Sequence, residues 1–407
     1  MSRSKKFLIL ILACLLISQI PFAYRRYRLR RLNSAIQSLN AERVLPQNSR
    51  SAEVFREYKG VVHVHSFLGG HSTGTFQEII AGAKANKLDF VIMTEHTEGG
   101  FDTAALTLSG IHEGVLFVNG NEVETTTGDR LLSIPGDVSL SGAQHSTTEI
   151  STNTRGRNAL AIIAYPEEFT GSADNADGIE VYNVFTNARK INRLVAFFDA
   201  IWCHNSYPDL VFANYLQRSD ESLRKWDQML AHKRLFATAG NDSHSNVGLT
   251  LNDSGGKLLL GFKLDPYETS FHLVRLHVLA PRTSRQSNAL ESSELLSALR
   301  AGHCFIGFDL LGDTSGFSFE VVNSSGTKIQ GDEMRLDTDT HLKIFSPVTS
   351  RVLIMKDGQV ASDKSGITSV DWKVNDKGIY RVELYLPQLG EPAGKQPWII
   401  SNPIYIR

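Results

Sequence analysis

Short apolar runs alternate with helix-period segments from residue 60 to about residue 240. Between the first two runs, Phe76, Ile79, Ile80 and Ala83 recur at the spacing of an amphipathic helix, and Thr75 is placed to cap it. Such alternation predicts an α/β fold, an irregular TIM-like β/α barrel with a largely parallel sheet. The predicted strands are residues 61–64, 90–93, 115–118, 160–164, 179–182 and 235–238.

The pattern changes after about residue 313. Short alternating segments separated by Asp, Gly, Ser and Asn predict a C-terminal antiparallel β-sandwich domain over residues 313–407. Asp357-Gly358 is predicted to be a hairpin turn. Two further helices are predicted at 223–232 and 290–301, and residues 136–157 form the longest irregular stretch.

The chain begins with an apolar run between two basic segments. Residues 7–17 are unbroken apolar sequence, and five arginines follow within residues 24–31. We expect a single-pass membrane anchor over residues 1–24 and a basic juxtamembrane linker over residues 25–54, ahead of a catalytic domain over 55–312. A cleaved signal peptide is the alternative, and the side of the membrane is left open. Deleting residues before about Ala52 is expected to release a soluble, folded protein.

Charge and cysteine content exclude some functional classes. The 42 basic and 43 acidic residues nearly cancel, so we expect no specific nucleic-acid partner. Cys14, Cys203 and Cys304 are too few and too far apart for a disulfide framework or a zinc ribbon. The partner must therefore be sought at a local site.

Histidines and acids gather where predicted strands end. In a β/α barrel, active sites are built at that rim. The pairs His63-Val64-His65 and Asp242-Ser243-His244 place two ligands two residues apart, and the alternation of a strand predicts that both point to one side. A single pair is equally consistent with histidines that hydrogen-bond the backbone. The full set at the rim favours a metal site: His63, His65, His96, Glu122, Asp242 and His244.

The order of these motifs resembles the PHP (polymerase and histidinol phosphatase) superfamily. The resemblance covers about half of the chain. Residues 290–305 and 398–406 also resemble the branch of carbaryl-type ester and carbamate hydrolases, which carry a C-terminal β-domain. The matching motifs are His63-Val-His65, Thr94-Glu95-His96, Asn119-Gly120-Asn121-Glu122, Ala164-Tyr165-Pro166 and Gly240-Asn241-Asp242-Ser243-His244.

The resemblance implies two metal sites. One would be held by the ligands His63, His65, Glu122 and Asp242, with Glu122 bridging to a second metal. The other would be held by three histidines, namely His71, His96 and His244. The ions expected are Zn, Mn or Fe, and the residues expected in catalysis are Glu122, Asp242 and Tyr165.

Two residues depart from the family pattern. Tyr165 replaces a histidine that binds a further metal, and Glu95 replaces an aspartate that is usually not a ligand. We therefore expect two well-occupied metals and a weak or empty third position. Tyr165 is either a lost ligand or a hydrogen-bond donor to substrate or nucleophile. His145 is a candidate replacement ligand, although a solvated loop histidine is the simpler interpretation.

Clustered divalent ions lower the pKa of bound water and polarise the electrophile, so a metal-dependent hydrolase is predicted. A phosphoesterase acting on a small phosphate ester is the leading hypothesis. The alternatives are a carboxyl-ester, amide or carbamate hydrolase and a degenerate PHP binding module, which would not need both Glu122 and Asp242. Five basic residues near the rim could bind phosphate, but a solvated surface charge is the simpler interpretation of each, and none is assigned: Arg130, Arg155, Arg157, Arg189 and Lys190.

Overall fold

A computed structural model describes residues 2–44, 53–97, 101–137, 139, 145–252, 258–282 and 289–407. The fold is mixed α/β, as expected, and the strands of these residues form one large sheet and a separate hairpin. The helices are α1 (Arg3–Ala41), α2 (Phe76–Ala85), α3 (Thr103–Leu106), α4 (Thr147–Gly156), α5 (Val184–Arg189), α6 (Arg193–Asp199), α7 (Asp220–Leu230), α8 (Tyr267–Leu273) and α9 (Ser292–Ala301).

The first half of the chain supplies the strands that surround the candidate site. Each predicted strand is present, because its apolar residues are buried on both faces of the sheet. The strands are β1 (Phe55–Val64), β2 (Phe90–Met93), β3 (Glu95–His96), β4 (Gly110–His112), β5 (Val115–Val118), β6 (Asn121–Glu124), β7 (Arg130–Ile134), β8 (Leu160–Ala164), β9 (Gly178–Asn183), β10 (Phe236–Ser243), β11 (Gly248–Asn252), β12 (Leu258–Lys263), β13 (Arg275–Pro281) and β14 (Cys304–Gly307).

Parallel pairing joins β5, β2, β1, β10, β9 and β8 in that order. β7 pairs antiparallel with β8 and β6, and β6 pairs parallel with β3. This succession brings the ends of β1, β3, β6 and β10 together. The irregular barrel stays a prediction.

Local sequence signals account for the helices. Thr75 caps α2 in a capping box with Glu78, as its position predicted. The stretch 136–157 was expected to be irregular, but α4 occupies its second part, and Ser146 and Glu149 form a second capping box there. Residues 138 and 140–144 of that stretch lie outside the described residues. β7 was also missed from the sequence.

The second half is built from antiparallel pairs, with the hairpin turn at Asp357-Gly358 as predicted. β14 pairs with β13 on one side and β21 on the other, so hydrogen bonding continues across residue 313. The sandwich and the domain division at that residue stay predictions. The strands are β15 (Ser318–Asn323), β16 (Gly326–Ile329), β17 (Glu333–Met334), β18 (His341–Lys356), β19 (Gln359–Lys373), β20 (Gly378–Tyr385), β21 (Pro397–Ser401) and β22 (Ile404–Ile406).

α1 has two halves of different character. Its first part is apolar and exposed, and it is long enough to span a membrane. The second part does not form the linker expected over residues 25–54, because helix continues to Ala41 and Leu29, Leu32 and Leu39 are buried in the main core. Arg25 also forms a bidentate ion pair with Asp199 at 2.5–2.8 Å. Residues 45–52 lie outside the described residues.

This packing changes where the chain can be shortened. We expect a variant lacking residues 1–18 to keep the thermal stability of the full chain, whereas a variant lacking residues 1–44 exposes the core that Leu29, Leu32 and Leu39 cover. Each buried leucine is worth about 1.5–3 kcal/mol, and Tm should fall by about 10 °C or more. Thermal unfolding, monitored by circular dichroism, gives the Tm of both variants. Leu8→Ser is the control for an exposed position. Equal Tm values for the two deletions would contradict the assignment.

Candidate metal centre

Four ligand atoms converge at the ends of β1, β6 and β10. The Nε2 atoms of His63 and His65 each lie 3.3–3.6 Å from Glu122 Oε2 and Asp242 Oδ1. Ligand bonds of about 2.1 Å in a tetrahedral site place neighbouring ligand atoms ~3.4 Å apart. These four separations therefore match the edges of a coordination tetrahedron.

The same atoms are buried and incompletely hydrogen-bonded. His63 and His65 are fully buried, and Asp242 is 5% exposed. Within the described residues, both ring nitrogens of His65 and Oδ1 of Asp242 have no hydrogen-bond partner. An unsatisfied buried polar atom costs about 1–3 kcal/mol. A divalent cation bound by His65 Nε2 and Asp242 Oδ1 would remove that cost for these two atoms, so the residues present fit a metal ion.

Three more imidazoles lie beside this group. The Nε2 atom of His71 is 3.1 Å from that of His96 and 2.8 Å from that of His244. The Nε2 atom of His71 carries at most one proton, so it can donate a hydrogen bond to only one of these two nitrogens. Glu122 Oε2 lies 3.4 Å from both His65 Nε2 and His96 Nδ1, which suits a bridging carboxylate. His71 is exposed, so solvent reaches the centre from this side.

All seven predicted ligands are thus brought together, and their roles as ligands stay predictions. The sets of atoms that lie within 4.8 Å of one another are His63, His65 and Glu122, and His65, His96 and His244. The second set contains His65 where the resemblance implied His71. His71 Nε2 lies 3.1 and 2.8 Å from the Nε2 atoms of His96 and His244, which is less than the ~3.4 Å expected between two ligands of one ion. All four histidines therefore stay candidates for the second ion.

The backbone reaches this geometry through strain. His63 lies at a bulge in β1 with φ of 68°, so the strand is irregular at this residue, yet the side chains of His63 and His65 reach the same carboxylates. Tyr165 and Asp242 have φ of 46° and 48°. Left-handed backbone in a non-glycine residue costs roughly 1–3 kcal/mol and concentrates at functional sites.

Electrostatics favour a bound cation. Burial lowers the pKa of His65 to about 3 and that of His96 to about 4, so both are neutral and able to bind metal. The pKa of Asp242 lies well below its ordinary value, because nearby imidazoles outweigh the effect of burial. Glu180, Asp242 and Glu122 hold the pKa of His63 well above 6.5 against the effect of burial. A proton on His63 therefore occupies the electrostatic role that a metal would take.

Glu180 on β9 supports the centre and was missed from the sequence. Its Oε1 lies 2.8 Å from His63 Nδ1, and both side chains are buried. A carboxylate behind a histidine fixes the ring so that Nε2 faces the metal and makes that nitrogen more basic. An acid within the apolar strand Ile179-Glu180-Val181 was the available signal.

Arg130 on β7 is brought to the centre, whereas other candidates lie elsewhere. Its guanidinium donates to Glu122 at 3.1 Å and to Glu124 at 3.2 Å, and the side chain is 34% exposed. Other basic candidates pair away from the centre, Arg157 with Asp137 and Arg189 with Glu168. Among the described residues, His145 is in neither ligand group.

The two departures from the family pattern have distinct surroundings. The Tyr165 hydroxyl donates to Asp242 Oδ2 at 2.7 Å, and burial together with nearby carboxylates raises its pKa far above 10. The phenol therefore stays protonated and orients Asp242. Glu95 accepts hydrogen bonds from the Ser66 backbone and the Thr107 hydroxyl, so it holds the loop that follows His65.

Comparison with known proteins gives weak similarities. No family model matches the chain, and no curated protein matches it. A two-domain protein from Bacteroides vulgatus, described as containing a predicted PHP-like metal-dependent phosphoesterase, is 14% identical over 89% of this chain and 98% of its own, with a TM-score of 0.39. PsfC from Pseudomonas syringae is 13% identical over 60% of this chain and 89% of its own, with a TM-score of 0.37. At such values neither similarity decides the fold or the function.

Replacement of Glu180 tests its support of His63. We expect Glu180→Gln to keep the fold and weaken the first metal by about 10- to 100-fold, because the buried charge behind His63 is lost. Titration calorimetry with Zn²⁺ or Mn²⁺ measures the affinity. Glu124→Gln, an exposed carboxylate on the same rim, is the control, and equal affinities for both variants would count against the role of Glu180.

Tyr165 determines the expected metal count. We expect two ions per wild-type chain by elemental analysis, and a third in Tyr165→His. If activity rises with the third ion, the tyrosine marks a lost ligand. If activity falls, its hydrogen bond to Asp242 contributes to turnover. Three fully occupied ions in the wild type would refute the two-metal prediction.

Proposed function

We propose that this protein is a metal-dependent hydrolase of PHP type that cleaves a small phosphate ester, and that α1 anchors it to a membrane. The observation that carries the proposal is the tetrahedral spacing of His63, His65, Glu122 and Asp242. Three further histidines beside this group support a second ion. The ordered motifs of the sequence support the same family.

Each residue has a proposed task. Divalent ions at this centre would supply an activated water and stabilise developing negative charge. Glu180 fixes the His63 ring, and Tyr165 holds Asp242 in place through its hydroxyl proton. The Arg130 guanidinium offers N–H donors beside Glu122, to which substrate oxygens can hydrogen-bond.

The position of Arg130 favours a phosphate ester over a carbonyl substrate. A phosphoryl group carries oxygens with full or partial negative charge, which a guanidinium binds through two parallel hydrogen bonds. An uncharged carboxyl ester, amide or carbamate gains little from such a cation. These substrates remain the second candidate, because an activated water attacks carbonyl carbon as well as phosphorus.

A degenerate binding module is the third candidate. It would have no need for ionised carboxylates buried among imidazoles, since an uncompensated buried charge destabilises the fold. Retention of both Glu122 and Asp242 therefore supports catalysis.

The proposal is tested by a panel of phosphate mono- and diesters, aryl esters and carbamates with Mn²⁺ or Zn²⁺. We expect phosphate-ester turnover that Asp242→Asn abolishes. Arg130→Met should lower kcat/KM for the phosphate ester by about 10- to 100-fold, the value of one charged hydrogen bond, with metal content unchanged. Arg351→Met, which removes an exposed cation paired with Asp363 on β19, is the control.

Other outcomes select the alternatives. Faster turnover of an aryl ester or carbamate, unaffected by Arg130→Met, would support the second candidate. Fully bound metal without turnover of any compound would support the binding module.

A further inference from the structure

Three large apolar side chains lie exposed on one short helical segment beside α1. Leu194 is 67% exposed, Phe197 47% and Ile201 60%. They belong to α6 and to the wider helical turn of Ala200–His204 that continues it. Spacings of three and four residues place them on one face. Clustered exposure of this kind marks an interaction surface, whereas single exposed apolar residues are common.

This segment is packed against α1 where its apolar half ends. The Trp202 indole donates to Gln19 Oε1 at 3.0 Å, and the rings of Phe22 and Phe198 lie 4.9 Å apart. Arg25 is paired with Asp199 on the same segment. These contacts place the apolar face beside residues 19–25 of α1 and so fix its position along the axis of that helix.

That position coincides with the boundary of the proposed membrane span. Residues 7–23 cover about 25 Å as a helix, close to the thickness of a bilayer core. Tyr24 and Tyr27 follow and are 59% and 54% exposed, and aromatic residues are typical of the membrane interface. The exposed cations Arg189, Lys190 and Arg193 flank the same segment, which suits anionic lipid headgroups.

We propose that α6 and the turn that follows it form an interfacial membrane-binding surface. Leu194, Phe197 and Ile201 enter the same bilayer that α1 spans, so the protein body is held against the membrane at two adjoining places. A second copy of the chain would cover the face equally well by apolarity alone. Its continuity with the end of the span and its cationic flank favour lipid.

The surface lies close to the candidate metal centre along the chain. Three residues separate α6 from α5, where the 41%-exposed Phe185 ring lies 6.2 Å from that of His244. The Arg189 guanidinium lies over the Phe185 ring, 4.9 Å from its centroid. Docking therefore brings the open side of the centre near headgroup level. Together with the proposed function, on which this step rests, the position of the centre predicts a membrane-borne, amphiphilic phosphate ester as the substrate class.

Site-directed spin labelling of the full chain in vesicles of neutral and anionic phospholipid tests the docking. Native Cys14 lies exposed within the span, whereas Cys203 and Cys304 are buried, and burial raises the pKa of Cys203 to about 11, which slows its labelling. Leu194→Cys and Val360→Cys are labelled in a Cys14→Ser background. Val360, on β19, is a matched control with 57% exposure.

We expect labels at Cys14 and at position 194 to collide with oxygen in the bilayer and to be shielded from a water-soluble nickel chelate, and the label at 360 to show the reverse. Nickel accessibility at 194 equal to that at 360 overturns the docking. Shielding of position 194 from both reagents, with spin–spin broadening, indicates a second copy and also overturns it. Water exposure at Cys14 overturns the span and the docking together.

The substrate class is tested separately with a combined Leu194→Ser, Phe197→Ser and Ile201→Ser variant. We expect at least a tenfold loss of kcat/KM on a long-chain phosphate ester in vesicles, and unchanged kcat/KM on a short-chain soluble analogue. Equal loss on both, or no loss on either, overturns the substrate class. Absence of turnover by the metal-loaded wild type on both substrates refutes the proposed function, while the spin-label result still decides the docking.

Discussion

Two buried carboxylates that lie among imidazoles are the constraint on which the centre depends. Glu122 and Asp242 stay ionised among imidazoles, where water cannot solvate them. In the absence of metal, a positive charge falls on His63, whose pKa is raised by the carboxylates around it. A divalent ion would neutralise the same groups more completely and also satisfy His65 Nε2 and Asp242 Oδ1.

The residues around these carboxylates divide the work between charge and position. Glu180 adds a third acidic group, whose pKa is raised by burial, and it acts through the His63 ring. Tyr165 binds the outer oxygen of Asp242 and leaves Oδ1 facing the histidines. Left-handed backbone at His63, Tyr165 and Asp242 is tolerated because the buried strands of the sheet hold these positions against relaxation.

α1 joins two environments without a flexible linker between them. Its apolar half is exposed on all sides, while three leucines of its second half belong to the core of the body. The rigid connection fixes the orientation of the body relative to any membrane that the helix enters. A domain on a flexible linker would have no fixed orientation relative to the apolar half of α1. Here the α6 surface and the nearby centre have a defined position along the α1 axis.

The sequence by itself determined the six apolar strands, the capped helix α2, the hairpin turn and the set of histidines and acids, because each depends on neighbours close along the chain. The tertiary structure decided which side chains meet. Glu180 and Arg130 reach the centre from β9 and β7, and nothing local in the sequence reveals that β7 crosses beside β6 and β8. The packed half of α1 was likewise hidden, because an arginine-rich helix reveals its buried leucines only when the surface that covers them is known. The bulge at His63 is a feature of strand pairing that alternation along one strand cannot show.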